Sequence, residues 1–337
     1  MSNDSDFTAL SLSNAANQAT SAPGYFVKPL VSVAVMDMFS VVNGFGLCSL
    51  LSFLGVFTNI ANIIVYARMG LSETSNINFL ALSVLDFFVS LVTFFLKFLY
   101  SPVLRSLSTG PITTHISMSL SPAMMSTVGA SAMMTALIST ERCLCVVFPL
   151  KVKTFLTPRR VLYLLLTIVA YMVTFLLVFY IDVGAPFINQ IGKQGFYFFC
   201  FFAVPSTTCF FIVLLSTLFL VIRLRKNLKW RQERSSQSAK SSCKENKLVR
   251  TIIAISTIFI ICFFPNVLNF FVQIIHPSFR YLDPYLGTLA VVMFSFSGVT
   301  QAISSSINIF FYYRMSSKFK RVFSETFLCY KKNLNTK

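Results

Sequence analysis

The chain of 337 residues is 55% hydrophobic and only 12% charged, with 38 phenylalanines and a formal net charge of +17. A mean hydropathy of +0.73, with about half the charged share usual in soluble proteins, excludes a soluble globule. Two histidines and eight cysteines show no metal-ligand spacing, and no nucleophile–base pair supports catalysis, so an enzyme is not expected.

Apolar runs of about 20 residues recur, each able to cross ~30 Å of hydrocarbon at ~1.5 Å per residue. Seven spans are expected, near Phe39–Tyr66, Ile77–Phe98, Ile116–Cys145, Val161–Ile181, Phe196–Ile222, Leu248–Ile275 and Leu286–Tyr312. The fold class is therefore all-α, a seven-transmembrane helix bundle. With the N-terminus outside, the outer segments hold only Lys28, Lys97, Arg105, Lys193 and Arg280, leaving 23 of the 28 basic residues inside. Basic excess marks cytoplasmic loops, so the net charge reflects orientation in a membrane and not nucleic-acid binding. The expected organisation is an extracellular tail over 1–38, a seven-span domain over 39–325 and a cytoplasmic tail over 326–337.

The first 24 residues are polar and lack a basic leader, so span one is expected to serve as an uncleaved signal-anchor. Asn3-Asp4-Ser5 fits a glycosylation acceptor at Asn3 in an outward tail. Asp86 in "LALSVLDFF" of span two sits about nine residues in, roughly 14 Å along the helix and near the midplane. A lone carboxylate there costs on the order of 3 kcal/mol and must find partners or a proton. Candidate partners are Asn59, Ser131, Ser304, Ser305 and Asn308. Two readings stand side by side: a structural polar cluster, or a sodium or proton site built from Asp86, Ser131, Ser304 and Asn308 with Asn59 in support.

Span three carries no charge from Ile116 to Ile138, then ends in Glu141-Arg142. Pro205 in span five and Pro265 in span six each remove a backbone hydrogen bond and kink their helices. Phe259, Phe263 and Pro265 place aromatic bulk beside such a hinge. Between those spans, 223–250 holds ten basic residues and five serines, suited to anionic lipid or a protein partner and to phosphorylation. After span seven, 314–323 mixes Arg and Lys with Met, Val and Phe, as a surface-lying amphipathic helix does. Cys329 follows it, placed for palmitoylation. No disulfide framework is expected, and Cys200 alone lies near the outer surface. No internal repeat is visible, which weighs against a transporter.

Together these residues resemble the rhodopsin-like (class A) G-protein-coupled receptors. Glu141-Arg142-Cys143 is similar to the family's acidic-Arg-Tyr signature at the inner end of span three, followed by Pro149. Asn59 matches the single Asn of span one, and Leu82-Ser83-Val84-Leu85-Asp86 resembles Leu-Ala-x-x-Asp. Cys262-Phe263-Phe264-Pro265 resembles Cys-Trp-x-Pro, and Asn308-Ile309-Phe310-Phe311-Tyr312 resembles Asn-Pro-x-x-Tyr. Phe319 suits the short helix after span seven.

The resemblance covers roughly residues 39 to 325. It implies that Glu141, and Glu245 at the start of span six, hold Arg142 until activation opens a cavity for a heterotrimeric G protein. It makes Asn308 and Tyr312 further parts of the activation switch, and implies arrestin and a receptor kinase as partners besides membrane lipid. The departures are Phe263 for Trp, Ile309 for the span-seven Pro, Val213 for a Tyr, and Ser117 for the Cys of the family disulfide.

By analogy the outer pocket is lined by Met124, Met125, Val128, Tyr197, Phe201, Asn266, Phe270, Phe294 and Gly298, an apolar site with one amide and one hydroxyl. Met124 stands where amine receptors carry Asp, and Ala302 where opsins carry the retinal lysine. The many Phe and the "ERC" and "NIFFYYR" variants resemble the gastropod chemosensory receptors. A small-molecule chemosensory cue is the expected ligand, with a neuropeptide the alternative and a transporter or channel the rival from another class. No cofactor is expected beyond a bound sodium ion.

Overall fold

A computed structural model describes residues 28–99, 101, 110–148, 157–181, 195–233, 239–276, 279 and 283–328. Within these, the side chains of 110–115, 117, 118, 158, 181, 227–233 and 239–248 fall outside the description. Asn3, Cys329 and the serines from 235 to 238 lie outside the described residues, as does the side chain of Glu245.

Seven helices are long and apolar enough to cross a membrane. They are α1 (Val33–Met69), α2 (Thr74–Leu99), α3 (Gly110–Val147), α4 (Pro158–Ile181), α5 (spanning Gly195–Lys226), α6 (Ala239–Ile275) and α7 (Gly287–Met315). A short α8 (Ser317–Phe327) follows. The expected starts and stops shift at a few ends. α1 begins at Val33 instead of Phe39, inside the segment assigned to the tail, because Ser32 caps it by accepting from the Val35 amide. At its other end Gly70, at φ +86°, stops the helix in backbone that favours glycine. α8 runs to Phe327, two residues into the segment assigned to the cytoplasmic tail.

α3 is the axis of the bundle and packs against α2, α4, α5 and α6, while α7 closes the ring on α1, α2 and α6. Two cores result. One, in the half far from α8, joins Val128, Phe202, Phe259, Phe263, Val267 and Phe270 across α3, α5 and α6. The other, at the α8 end, joins Tyr66, Phe79, Met134, Ile252, Tyr312 and Phe319. Side chains such as Leu166, Leu215 and Ile261 stay exposed on the outer faces, as a lipid-facing belt requires.

Among lipids, apolar burial gives helices no reason to associate, so close approach and polar contacts must do it. Gly55 of α1 shows this: a Cβ there would lie 2.5 Å from both Ser90 Oγ of α2 and Ser306 Oγ of α7.

α7 is not one continuous helix. It breaks at Ile307, between Gly287–Ser306 and Asn308–Met315. The span is thus interrupted although Ile309 stands in place of the family's proline. The Ser305 and Ser306 hydroxyls both donate back to the Ala302 carbonyl, at 3.2 and 2.6 Å, a bond that bends helices. The carbonyls of Ser305 and Ser306 are in turn taken by α1, from Asn59 Nδ2 at 2.7 Å and Thr58 Oγ1 at 3.1 Å. Helix α1 therefore satisfies the acceptors exposed by the break.

The Gly55 contact yields a stability test. Gly55→Ala should destabilise the bundle by about 1–3 kcal/mol, the usual cost of overpacking, read as a lower melting midpoint in detergent. Adding Ser90→Ala should recover part of the loss. A Gly55→Ala protein melting like the parent would mean that the three helices do not meet as described.

Candidate functional site

Three places along the bundle axis carry the expected site residues. The first is near the middle. Asp86 is buried, and its carboxylate accepts from Ser131 Oγ of α3 at 2.6 Å and from Asn308 Nδ2 of α7 at 2.7 Å. Three helices thus meet on one carboxylate. Ser304, expected here too, shares no hydrogen bond with Asp86. The other candidate hydroxyl, Ser305, accepts from Ser90 Oγ at 3.4 Å. Asn59 likewise stands aside from the carboxylate, donating to the Gly55 and Ser305 carbonyls and accepting from Asn62.

As a ligand set, a carboxylate with a hydroxyl and an amide offers oxygens suited to a hard cation. The residues present therefore fit a sodium ion, with Asp86, Ser131 and Asn308 as those that would hold it. Groups of three or more His, Cys, Asp or Glu that could hold a metal do not occur among the described residues.

The second place is the α8 end of α3. Glu141 is buried and does not point to open solvent. Its carboxylate accepts from Asn78 Nδ2, from Thr74 Oγ1 at 3.3 Å and from Arg142 at 3.0 Å. Arg142 also donates to Ser75 Oγ at 2.5 Å. The acid–base pair is thus docked onto the first turns of α2. Charge-assisted bonds of this kind are stronger than neutral ones.

One turn deeper, the hydroxyls of Ser139 (α3) and Ser256 (α6) meet at 2.7 Å in a buried contact. This bond links α3 to α6 one turn deeper than Arg142, and the Glu245 side chain expected to pair with Arg142 lies outside the described residues. Tyr312, fully buried, packs edge-on to Tyr66 at 5.1 Å and against Phe319 of α8 at 5.6 Å. Lys318 pairs with Glu73 at 3.8 Å, and Arg68 donates to Thr326, fastening α8 to the α1–α2 turn.

The third place is the far half. Phe259 and Phe263 stack at 5.1 Å one turn below Pro265, inside a helix that continues through the proline. Pro205 sits at the second residue of the α-helical part of α5, directly after a π-helical turn, Phe199–Ala203. That turn corrects the expected lining. Phe201 faces α4, with its ring 5.9 Å from Phe175 and its carbonyl accepting from Tyr171. Phe198 and Phe202 instead meet Phe270 of α6, both at 5.7 Å. An i→i+5 turn holds one residue more than an α-turn, so residues before Pro205 rotate away from an α-helical count. Tyr197, a second expected lining residue, lies before that turn and is half-buried.

Other lining residues divide in the same way. Val128 and Phe270 are buried in the far core, with Met124, Met125 and Phe294 packed partly buried against it. Gly298 turns to α1, where a Cβ would sit 3.4 Å from Cys48 Sγ. Asn266 is half-buried, and the buried amide is Asn269, donating to Ser297 of α7 at 2.8 Å.

Several of these residues escaped the sequence reading, and one had a signal. Ser131, Thr135 and Ser139 recur every fourth position, so they line one face of α3. Asn78, Ser256 and Asn269 each have other polar residues close by in the sequence, and nothing local names their partners.

A family model, 7 transmembrane receptor (rhodopsin family), matches residues 58–312, well over half of the chain. No curated protein matches it.

The Ser139–Ser256 bond lends itself to a double-mutant cycle. Ser256→Ala should strand the buried Ser139 hydroxyl and cost about 1–3 kcal/mol in detergent melts. Replacing both serines by Ala should cost less than the sum of the single changes. Strict additivity would mean that the two hydroxyls do not pair.

Proposed function

Because the chain belongs to the rhodopsin family of seven-transmembrane receptors, we propose that it binds a small apolar chemosensory cue in the far half of the bundle. Members of this family are receptors and not enzymes, and signal through G proteins. The single observation that carries the ligand class is the far core. Val128, Phe202, Val267 and Phe270 are buried there with Met124, Met125, Phe198 and Phe294 around them, and the charged side chains buried among the described residues, Asp86 and Glu141, both belong to the other two places. A charged peptide terminus placed there would lose its hydration without a partner. An uncharged, partly aromatic molecule would not. The gastropod chemosensory receptors that the chain resembles in its "ERC" and "NIFFYYR" variants are the setting this reading takes.

The α8 end is the cytoplasmic end in this reading and the membrane is the plasma membrane. The bias of basic residues to that side supports it. Ligand contact at Phe270 and Phe294 is passed along α6 by a swing at Pro265, where Phe259 and Phe263 stack, and along α5 by Pro205. At the inner end Glu141 holds Arg142 down on Ser75. Their separation frees Arg142 for the G protein, with Glu245 as a second restraint. Asn308 and Tyr312 move with the lower part of α7, which is already separate at Ile307. A sodium ion at Asp86, Ser131 and Asn308 would favour the resting state and so oppose agonist. Arrestin and a receptor kinase complete the partners, with glycosylation at Asn3 and palmitoylation at Cys329.

Two experiments test this. In cells expressing the receptor with a reporter of G-protein activation, a panel of small apolar odorants should contain agonists, and Phe270→Ala should weaken them about tenfold, or ~1.4 kcal/mol. Arg142→Ala should abolish the response at matched surface expression. A receptor activated only by charged peptides would overturn the ligand class. Separately, agonist affinity should fall as sodium rises, and Asp86→Asn should remove that dependence. An equal sodium response in parent and variant would leave Asp86 a structural knot.

A further inference from the structure

The inner ends of α6 and α7 and the start of α8 border an open cavity of about 280 Å³, lined by Arg250, Tyr313, Arg314, Met315, Ser317 and Lys320. Three of these six are cations and none is acidic. Neighbouring cations on the same surface have polar partners: Lys318 has Glu73, Arg321 has Glu325 and Arg68 has Thr326. Arg250 and Arg314 have no hydrogen bond or ion pair among the described residues, and Lys320 rests only over the Tyr313 ring at 5.4 Å. Like charges gathered around one cavity repel, and an anion between them removes that cost. Ser317 is the first residue of the 11-residue α8, so the positive end of its dipole adds to the same field.

The walls beyond the cavity say what carries the anion. Phe310, 63% exposed, lies one turn before Arg314 on the same face of α7. On α6, Ile261 and Phe264 are 62% and 55% exposed. They stand eleven and fourteen positions after Arg250, on its face by helical spacing. Two apolar, outward-facing stripes thus run from the cations into the lipid belt. A free anion has no use for such stripes, whereas an amphiphile with a phosphate head and acyl chains matches both parts.

We infer that this cavity binds the phosphomonoester headgroup of an inner-leaflet phospholipid, its acyl chains lying along Phe310 on one side and Ile261 and Phe264 on the other. Guanidinium groups suit phosphate oxygens, which they can engage two at a time. A phosphomonoester carries up to two negative charges against three cations, a better match than a singly charged serine headgroup. The inference rests on the cytoplasmic placement of α8 proposed above.

The test uses the full chain, purified and reconstituted in nanodiscs of phosphatidylcholine, with binding of a fluorescent phosphatidylinositol bisphosphate measured directly. Arg250→Gln with Arg314→Gln should weaken binding about thirtyfold, the attraction of two interfacial cations. Arg159→Gln, an exposed cation on α4, should leave it unchanged. Should the double variant lose its cooperative melt, the exposed Lys320→Gln carries the same comparison, with a loss of about fivefold.

Phosphatidylserine at equal total charge should compete poorly. Equal competition would reduce the site to general surface attraction and overturn the proposal. Soluble inositol phosphate should bind at least tenfold more weakly than the lipid. Equal affinity would make the ligand a free phosphate compound and overturn the lipid assignment. Binding here needs neither agonist nor G protein, and antibody access to a C-terminal tag on intact cells checks the orientation independently. A tag reachable from outside would overturn the orientation whatever the lipid result.

Discussion

A carboxylate in the middle of a membrane must be surrounded, and much of this bundle is arranged around that need. Asp86 is buried, and Ser131 from α3 and Asn308 from α7 come to it, drawing three helices to one point. Around that point lies a second layer in which Asn59, Thr58 and Gly55 of α1 meet the serines of α7. Hydrophobic burial cannot supply this convergence, because lipid tails are as apolar as leucine. Polar contacts and small residues set the relative heights of α1, α2, α3 and α7, and the aromatic cores fill the space that remains.

The two ends of the bundle follow from that common middle. Toward α8, a buried acid and a half-buried arginine are docked on α2, and Tyr312 and Phe319 wedge α8 against Tyr66. Away from α8, phenylalanines from α5 and α6 close on one another without a charged group between them. One end is therefore rich in electrostatic restraints and the other in dispersion contacts. A bundle with both can couple an apolar event at one end to the loosening of a charged pair at the other, since the helices between are shared.

The sequence showed the spans plainly, because a 20-residue apolar run has few alternatives in an all-helical membrane protein. The residues brought to the carboxylate were visible for the same reason: each intramembrane polar group is costly, and Asp86, Ser131 and Asn308 stood out. Register was less legible. Phe201 was placed in the pocket by analogy, and it faces α4 instead because a π-turn adds a residue that no side chain announces. Gly298 was placed in the pocket lining, whereas it turns to α1 and makes room for Cys48. Pairings between distant lone polar residues, such as Ser139 with Ser256 and Asn269 with Ser297, depend on helix rotation and height. Those are settled by the whole bundle and by no local pattern.

The break in α7 has a consequence for the pairing of the last span with the first. A proline would have written the bend into the last span itself. Here the two carbonyls it exposes are satisfied from α1, by residues 248 and 246 positions earlier in the chain. The hydroxyls of Ser305 and Ser306 can bend α7 from within, but its two open acceptors find their partners only when α1 and α7 meet. The bend is thus shared by α1 and α7, and a bundle that loses α1 leaves both acceptors without their partners.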